Sequence, residues 1–250
     1  MGIAIRLGLL AIKIIKSIPF ILRIKRKFFP YHLQSTFQNF RILTFNYNQF
    51  SSMKKRSCID ALGNPIPWYT YPAIEYLKNL DFSDRNIFEY GSGNSSLWWG
   101  KRCKKIISIE LDVKWFEQIK NSKSKISNFD YRLAIDEKSY VMQADLVGSD
   151  VIIIDGSWRV ECANFVINQI KSNKVNPNML IFDNSDWYPR TIPFINKNLK
   201  SWVQVDFSGF GPINGYTWIT SIFINPNADS KLIYKTALTT IGGIEQTAEE

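Results

Sequence analysis

Five apolar runs, at residues 87–88, 106–109, 131–135, 151–154 and 179–182, recur with segments of mostly helical length between them. Successive strands joined through helices run parallel, and a parallel sheet must be covered on both faces, so strands of this kind read as continuous apolar runs. The connecting segments carry their own helix signals. Thr70 stands at a cap position before Pro72, and Ala73, Ile74, Tyr76, Leu77 and Leu80 follow as an apolar side. Val113, Phe116 and Ile119 share a face after Asp112, and a further helix is expected after Arg159. Beyond the fifth run the pattern changes. Two long apolar runs, at 202–207 and 217–225, flank Gly209, Gly211, Pro212 and Gly215, which predicts a closing antiparallel hairpin.

A chain of 250 residues is sized for one α/β core with appendages. Charge divides it unevenly. Residues 1–59 hold eleven Lys and Arg and no acid, whereas residues 60–250 hold twenty against twenty-two. The body is close to neutral, which disfavours nucleic acid as its partner. Three units follow: a basic leader and connecting arm over 1–59, a ligand-binding domain over 60–226, and a polar tail over 227–250 that is expected to fray.

Between residues 3 and 24 the leader is mostly Ile, Leu, Ala and Phe, interrupted by Arg6, Lys13, Lys16 and Arg23. On a helix Arg6, Lys13, Lys16 and Ser17 share a narrow face within an otherwise apolar circumference, the pattern of a helix lying in a membrane interface. Arg23, Lys25, Arg26 and Lys27 add charge suited to anionic headgroups. Residues 3–27 are thus expected to meet an anionic membrane, the domain itself or another subunit. Residues 35–57 show no clear period and read as a connecting arm. The lysines break the apolar centre that a signal peptide needs. Cys58, Cys103 and Cys162 are too scattered for a disulfide framework and point to a reducing, cytoplasmic setting. One histidine, His32, lies in the leader, so histidine-based metal or acid–base chemistry is not expected in the body.

The sharpest local signal is NIFEYGSG at 86–93, a strand that ends in Glu89 and Tyr90 and turns on Gly91, Ser92 and Gly93. Seventeen residues past Gly93 the next strand ends in Glu110. Glycines let backbone approach a ligand, and an acid ending the adjacent strand can hold both ribose hydroxyls, so a nucleoside pocket is expected. A GxGxxG dinucleotide site is the competitor, but Ser96 takes the place of its third glycine and Glu89 would set a carboxylate near a pyrophosphate.

Over about residues 65–225, EYGSGNSS followed by SIELD resembles class I S-adenosylmethionine (SAM) dependent methyltransferases. The resemblance implies a Rossmann-like, doubly wound α/β fold with a mostly parallel seven-stranded sheet and a C-terminal antiparallel hairpin, to which this chain adds an N-terminal amphipathic helix. It implies that Gly91, Ser92 and Gly93 line the methionine and ribose part of SAM, that Glu89 faces its ammonium, and that Glu110 takes the ribose hydroxyls. Ala134, Ile135 and Asp136 become candidates for the adenine, and Trp68, Tyr69 and Tyr71 of PWYTYP for closing over the sulfonium.

IIIDGSWR and LIFDNSDW put Asp155, Asp183, Asn184 and Asp186 at the carboxyl edge of the sheet. Asp155, Asp183 and Asn184 resemble the divalent-metal set of catechol and caffeoyl-CoA type O-methyltransferases, which implies Mg²⁺ activating an acceptor hydroxyl. Gly156, Ser157, Trp158 and Arg159 depart from that family's pattern, which usually has a third acid or a lysine there. Without metal, Asp155 serves as base or orients the acceptor, and Arg159 pairs with an acceptor anion or makes a structural ion pair; Asp183 is a further catalytic candidate, and Tyr90 and Asp155 count also among the cofactor-binding candidates. Motifs for adenine amino methylation (NPPY, DPPY) and a Pro-Cys nucleophile for cytosine are missing. The expectation is a cytoplasmic SAM-dependent methyltransferase, peripheral on the membrane through its leader, acting at oxygen on a small-molecule, glycan or lipid-linked acceptor. A nicotinamide-dependent oxidoreductase and a membrane-attached nucleoside-binding protein without transfer chemistry are the alternatives.

Overall fold

The computed structural model describes residues 30–123, 126–228 and 240–243. The amphipathic helix expected within residues 3–27 lies outside them, as does most of the tail from residue 227. Among the described residues no helix is long and apolar enough to cross a membrane.

The apolar runs become the centre of one seven-stranded sheet. β1 (Asn86–Tyr90), β2 (Lys105–Glu110), β3 (Phe129–Leu133), β4 (Val151–Ile154) and β5 (Met179–Asp183) run parallel, and the sheet order is β3-β2-β1-β4-β5-β7-β6. The hairpin of β6 (Val203–Gly209) and β7 (Trp218–Ile224) closes the sheet, with β7 antiparallel to both β5 and β6. This is the Rossmann-like arrangement that the resemblance implies. All four residues of β4 and all five of β5 are buried, because helices cover both faces of the sheet there.

Alternation along each strand sends side chains to opposite cores. Ile87, Ile106, Val151, Ile153 and Ile181 meet α3 (Tyr71–Lys78), α4 (Asn94–Gly100) and α5 (Val113–Lys123) on one face. Phe88, Tyr90, Ile152, Ile154 and Phe182 meet α6 (Glu137–Val141), α7 (Arg159–Lys171) and α8 (Thr191–Asn198) on the other. Trp98 and Trp99 of α4 pack edge to face at 4.6 Å, and Phe82 meets Trp99 likewise at 4.9 Å. β1 and β4 are neighbours from which the chain winds in opposite directions, and in open sheets such a switch point is where ligands bind.

Three local readings are corrected. Residues 35–57 are largely helical: α1 (Tyr31–Arg41), a π-helical turn (Ile42–Asn46) and α2 (Gln49–Lys55). Neither α1 nor that turn buries a residue, so no inward period marks them in the sequence. β3 begins two residues before the expected run and ends at Leu133, leaving Ile135 68% exposed. Thr70 precedes α3 but does not cap it with its side chain; its hydroxyl donates to the Phe207 carbonyl at 2.9 Å. Helices α6 and α8, both short, had no distinct signal.

The arm before β1 is tied across the carboxyl edge. Gln49 Nε2 donates to the Gly211 carbonyl at 2.8 Å, Asn94 Nδ2 to the Cys58 carbonyl at 2.6 Å, and Thr70 N to Thr220 Oγ1 at 3.1 Å. Beneath this roof the turn after β1 lies against the turn after β4. Gly91 has φ +100°, and a Cβ there would stand 2.9 Å from Gly156 Cα. A Cβ on Gly156 would stand 1.9 Å from Tyr140 Oη and 2.7 Å from Gly91 N. Gly156→Ala therefore forces two backbones and a buried ring apart, and is expected to cost about 1–3 kcal/mol in urea denaturation. A loss below about 0.5 kcal/mol, the range of neutral surface substitutions, contradicts this packing.

Candidate functional site

At the carboxyl ends of β1 and β2 two acids are held quite differently. Glu89 is fully buried, and its Oε2 accepts from Ser96 Oγ at 2.5 Å and Ser108 Oγ at 2.6 Å. Strand register explains the second contact, since Glu89 and Ser108 are direct neighbours across β1 and β2. Ser96 Oγ also accepts from Gly93 N at 3.1 Å, so one hydroxyl links the acid to the glycine turn. Among the described residues Glu89 Oε1 has no hydrogen-bond partner. Burial pushes the Glu89 pKa up to about 7, with the serine hydroxyls opposing the shift and the charge of Asp155 adding to it.

Glu110 lies at the rim, 9% exposed. Its Oε1 accepts from Leu111 N at 2.8 Å and Asp112 N at 2.9 Å, and its Oε2 accepts from Ser92 Oγ at 2.5 Å. Tyr131 Oη lies 2.8 Å from Ser92 Oγ, and Trp115 Nε1 donates to the Ser92 carbonyl at 2.9 Å. Glu110 and Ser92 thus meet directly, and Gly91, beside Ser92, lies against Gly156. Tyr90 does not join them: its ring is buried in the opposite core and its hydroxyl donates to the Val141 carbonyl at 2.8 Å. Next to Glu110, whose carbonyl accepts from Ala134 N at 2.8 Å, the exposed Ile135 offers an apolar surface. Asp136 is the N-cap of α6. It accepts from Ser139 N at 2.9 Å and Ser139 Oγ at 2.5 Å, which holds its carboxyl below the usual range. Tyr69 and Tyr71 are buried rather than exposed over a pocket, Tyr71 packing on Tyr47 with ring centroids 4.4 Å apart, while Trp68 is half exposed.

At the ends of β4 and β5 the arrangement corrects the expected metal set. Arg159 Nε donates to the Gly156 carbonyl at 3.0 Å. Its Nη1 donates to the Asp183 carbonyl at 2.5 Å and to Asn184 Oδ1 at 2.9 Å. Its Nη2 donates to the Asp155 carbonyl at 3.3 Å and to Asp155 Oδ1 at 2.9 Å. Five guanidinium N–H donors thus meet five acceptors, so none is left for an acceptor anion. Asp183 Oδ1 is taken by Thr220 Oγ1 at 2.5 Å and Trp218 Nε1 at 3.1 Å. The Asn184 amide oxygen and one Asp155 oxygen proposed as Mg²⁺ ligands therefore face the chain's own cation, and among the described residues no group of three His, Cys, Asp or Glu side chains is gathered as a metal site. These residues do not fit a divalent ion. Asp186 Oδ1 is likewise committed, accepting from Ile219 N at 3.0 Å.

Burial raises the Asp155 pKa to about 6 against the pull of Arg159, and raises that of Asp183 well above the carboxylate range, with Asp155 adding to the shift. Ser108, Thr220 and Trp218 are the site residues the sequence reading missed, and Ser96 was read there only as standing in place of a glycine. Their only signal is polar or ring N–H character on strand and helix positions that face inward.

No protein-family model matches the sequence, and no curated protein matches it. Solved structures of similar fold include a dimethyladenosine transferase from Plasmodium falciparum, at 15% identity and TM-score 0.45, covering 63% of this chain and 63% of that one, so the chain spans less than two thirds of it. Precorrin-6y C5,15-methyltransferase from Geobacter metallireducens GS-15 shares 13% identity at TM-score 0.44, with 61% and 87% covered. The N-methyltransferase NodS from Bradyrhizobium japonicum WM9, in complex with S-adenosyl-L-homocysteine, shares 15% at TM-score 0.41, with 57% and 79% covered. No substrate or activity follows from likeness at that level. The strand order itself, with β7 reversed between β5 and β6, is that of the Rossmann-like fold of class I SAM-dependent methyltransferases.

The raised Glu89 pKa gives a signed prediction. With a folded pKa of about 7 and an ordinary value of 4.5, Glu89 takes up a proton on folding between those values. Its contribution to stability is fully present below about 4.5 and is lost as pH rises through about 7. Glu89→Gln stays neutral. The unfolding free energy of this variant relative to the unmodified chain, both free of added cofactor, should therefore rise between pH 5 and pH 8 by on the order of 3 kcal/mol in urea denaturation. A difference independent of pH contradicts the buried, protonated acid.

Proposed function

We propose that the chain is a SAM-dependent methyltransferase that modifies an oxygen of a small-molecule, glycan or lipid-linked acceptor. The observation that carries this reading is the Glu110 carboxylate at the end of β2, held beside the turn where Gly91 lies against Gly156. Three of its acceptor positions are taken, by Leu111 N, Asp112 N and Ser92 Oγ, so a ribose would bond at the open side of Oε2 and replace the Ser92 hydroxyl, which has Tyr131 Oη as a second partner.

The residues fit this cofactor in charge as well. Among the described residues Glu89 Oε1 is a buried oxygen without a partner, and it suits an ammonium reached directly or through a water. The turn of Gly91, Ser92 and Gly93 bridges the two acids, through Ser92 Oγ to Glu110 and through Ser96 Oγ from Gly93 N to Glu89, and is the segment proposed to meet the cofactor, with the exposed Ile135 offering the adenine an apolar surface beside the capped Asp136. The same features count against a dinucleotide. Ser96 stands where a third glycine is needed, its hydroxyl already takes Gly93 N, and the acid beneath the turn, when ionised, repels a pyrophosphate.

SAM, when bound, supplies a methyl group activated by a sulfonium. The chain's own task is to align the acceptor and exclude water. Asp155, 16% exposed at the end of β4, is the residue proposed to accept the acceptor's proton or to hold its hydroxyl in line. Arg159 fixes the Asp155 carboxylate rather than touching the acceptor, and Asp183 is fixed by Thr220 and Trp218. Peripheral attachment to an anionic membrane through residues 3–27 belongs to the same proposal, as does a cytoplasmic setting.

Two substitutions separate binding from chemistry. Glu110→Ala should weaken SAM in calorimetry by about 1.5–3 kcal/mol, the worth of a charged hydrogen-bond pair. Asp155→Asn should leave SAM affinity within about twofold while lowering kcat by about 10²–10⁴, once an acceptor is in hand. Unchanged SAM affinity in Glu110→Ala contradicts the ribose assignment.

A further inference from the structure

Helix α1 is unusual for a helix attached to a folded domain, because none of its eleven residues is buried. Apolar side chains nevertheless face outward along it and beyond. Tyr31 is 83% exposed, Phe40 68%, Phe45 40%, Phe50 57% and Met53 36%. Isolated exposed apolar residues are ordinary, but with Phe37 and Leu33, also exposed, residues 31–53 present five aromatic rings, a leucine and a methionine, which are not scattered singly. The same stretch is attached firmly elsewhere. Leu43 and Tyr47 pack on the core, Gln49 and Ser52 are buried, and Gln49 Nε2 bonds the Gly211 carbonyl. The outward rings are therefore presented from an anchored platform.

Charge selects among occupants of this surface. Met53 is followed at once by Lys54, Lys55 and Arg56, all exposed, and Arg41 lies between Phe40 and Phe45. No acid occurs before Asp60, and residues 1–29, which join directly to α1, carry seven further Lys and Arg. A protein partner of ordinary mixed charge does not require an apolar face flanked by one sign of charge only. A bilayer rich in anionic lipid does: aromatic rings enter the headgroup and acyl boundary while lysines and arginines meet the headgroups.

We propose that residues 31–56 are a docking surface for anionic membrane, with Phe40, Phe45 and Phe50 entering the interface and Lys54, Lys55 and Arg56 holding the headgroups. The proposal extends the attachment expected of residues 3–27 to a surface built on the folded domain, and it does not depend on methyl transfer. Because Gln49 of α2 bonds Gly211, in the connection between β6 and β7 at the carboxyl edge, docking would orient that edge relative to the lipid. A lipid-linked acceptor is the substrate class this arrangement suits.

Flotation of the full chain with phosphatidylcholine vesicles, with and without phosphatidylglycerol, tests this directly. The unmodified chain should float with the phosphatidylglycerol vesicles alone, and partitioning should fall as salt is raised. Phe40→Ser with Phe50→Ser should weaken partitioning by about tenfold or more. Both positions are exposed, so the variant's thermal unfolding should match that of the unmodified chain, which shows that loss of binding is not loss of fold. A double variant that floats as well as the unmodified chain overturns the proposal while leaving attachment through residues 3–27 standing. A chain that floats with neither vesicle overturns both. A dimer in sedimentation velocity that the double substitution converts to monomer assigns the surface to a second copy of the chain instead. None of these outcomes bears on SAM binding, which calorimetry reads separately.

Discussion

The carboxylate of Glu89 is buried without a cation beside it, and much of the site's geometry follows from how the chain accommodates that. A carboxyl in an apolar layer is costly without hydrogen bonds, so it is met by hydroxyls from two elements, Ser96 on α4 and Ser108 on β2. Those two contacts fix the start of α4 against the middle of β2, while Ser96 also holds Gly93 N. The turn between β1 and α4 is thereby given one shape, and Gly91 within it is set against Gly156. The remaining oxygen, without a partner among the described residues, is the part of this network left for a ligand.

Arg159 does for β4 and β5 what the serines do for β1 and β2. Its donors join three carbonyls, the Asn184 amide and the Asp155 carboxylate, so the two strand ends behave as one rigid edge. A set of oxygens that reads in sequence as a divalent-metal site is gathered around a guanidinium instead. The substitution is chemically coherent, since a planar cation with five donors can satisfy more acceptors at fixed geometry than an ammonium can. It also leaves Asp155 partly accessible at 16%, unlike Asp183, which is buried and held by the Thr220 hydroxyl and the Trp218 ring N–H.

How much could be read in advance depended on whether a residue's role was local. β1, β2, β4 and β5 were legible because burial on both faces makes their residues continuously apolar, and Glu110 was legible because strand end and glycine turn are close in sequence. β3 slipped by two residues because Ala134 and Ile135, apolar like a strand, continue past its end into a loop. α1 escaped because nothing on it faces the core, so helical period and burial were uncoupled. Arg159 was the hardest to read. Its partners at 183 and 184 lie on the next strand's end, and only the parallel pairing of β4 with β5 brings them within reach.

The central claim is that the turn and acids of β1 and β2 form a pocket for a cationic, phosphate-free nucleoside. Isothermal titration of the full chain, purified without added cofactor, with SAM, S-adenosylhomocysteine and NAD examines that claim most directly. The account predicts saturable binding of SAM and S-adenosylhomocysteine and no heat of binding from NAD. Binding of NAD with no response to SAM would contradict it.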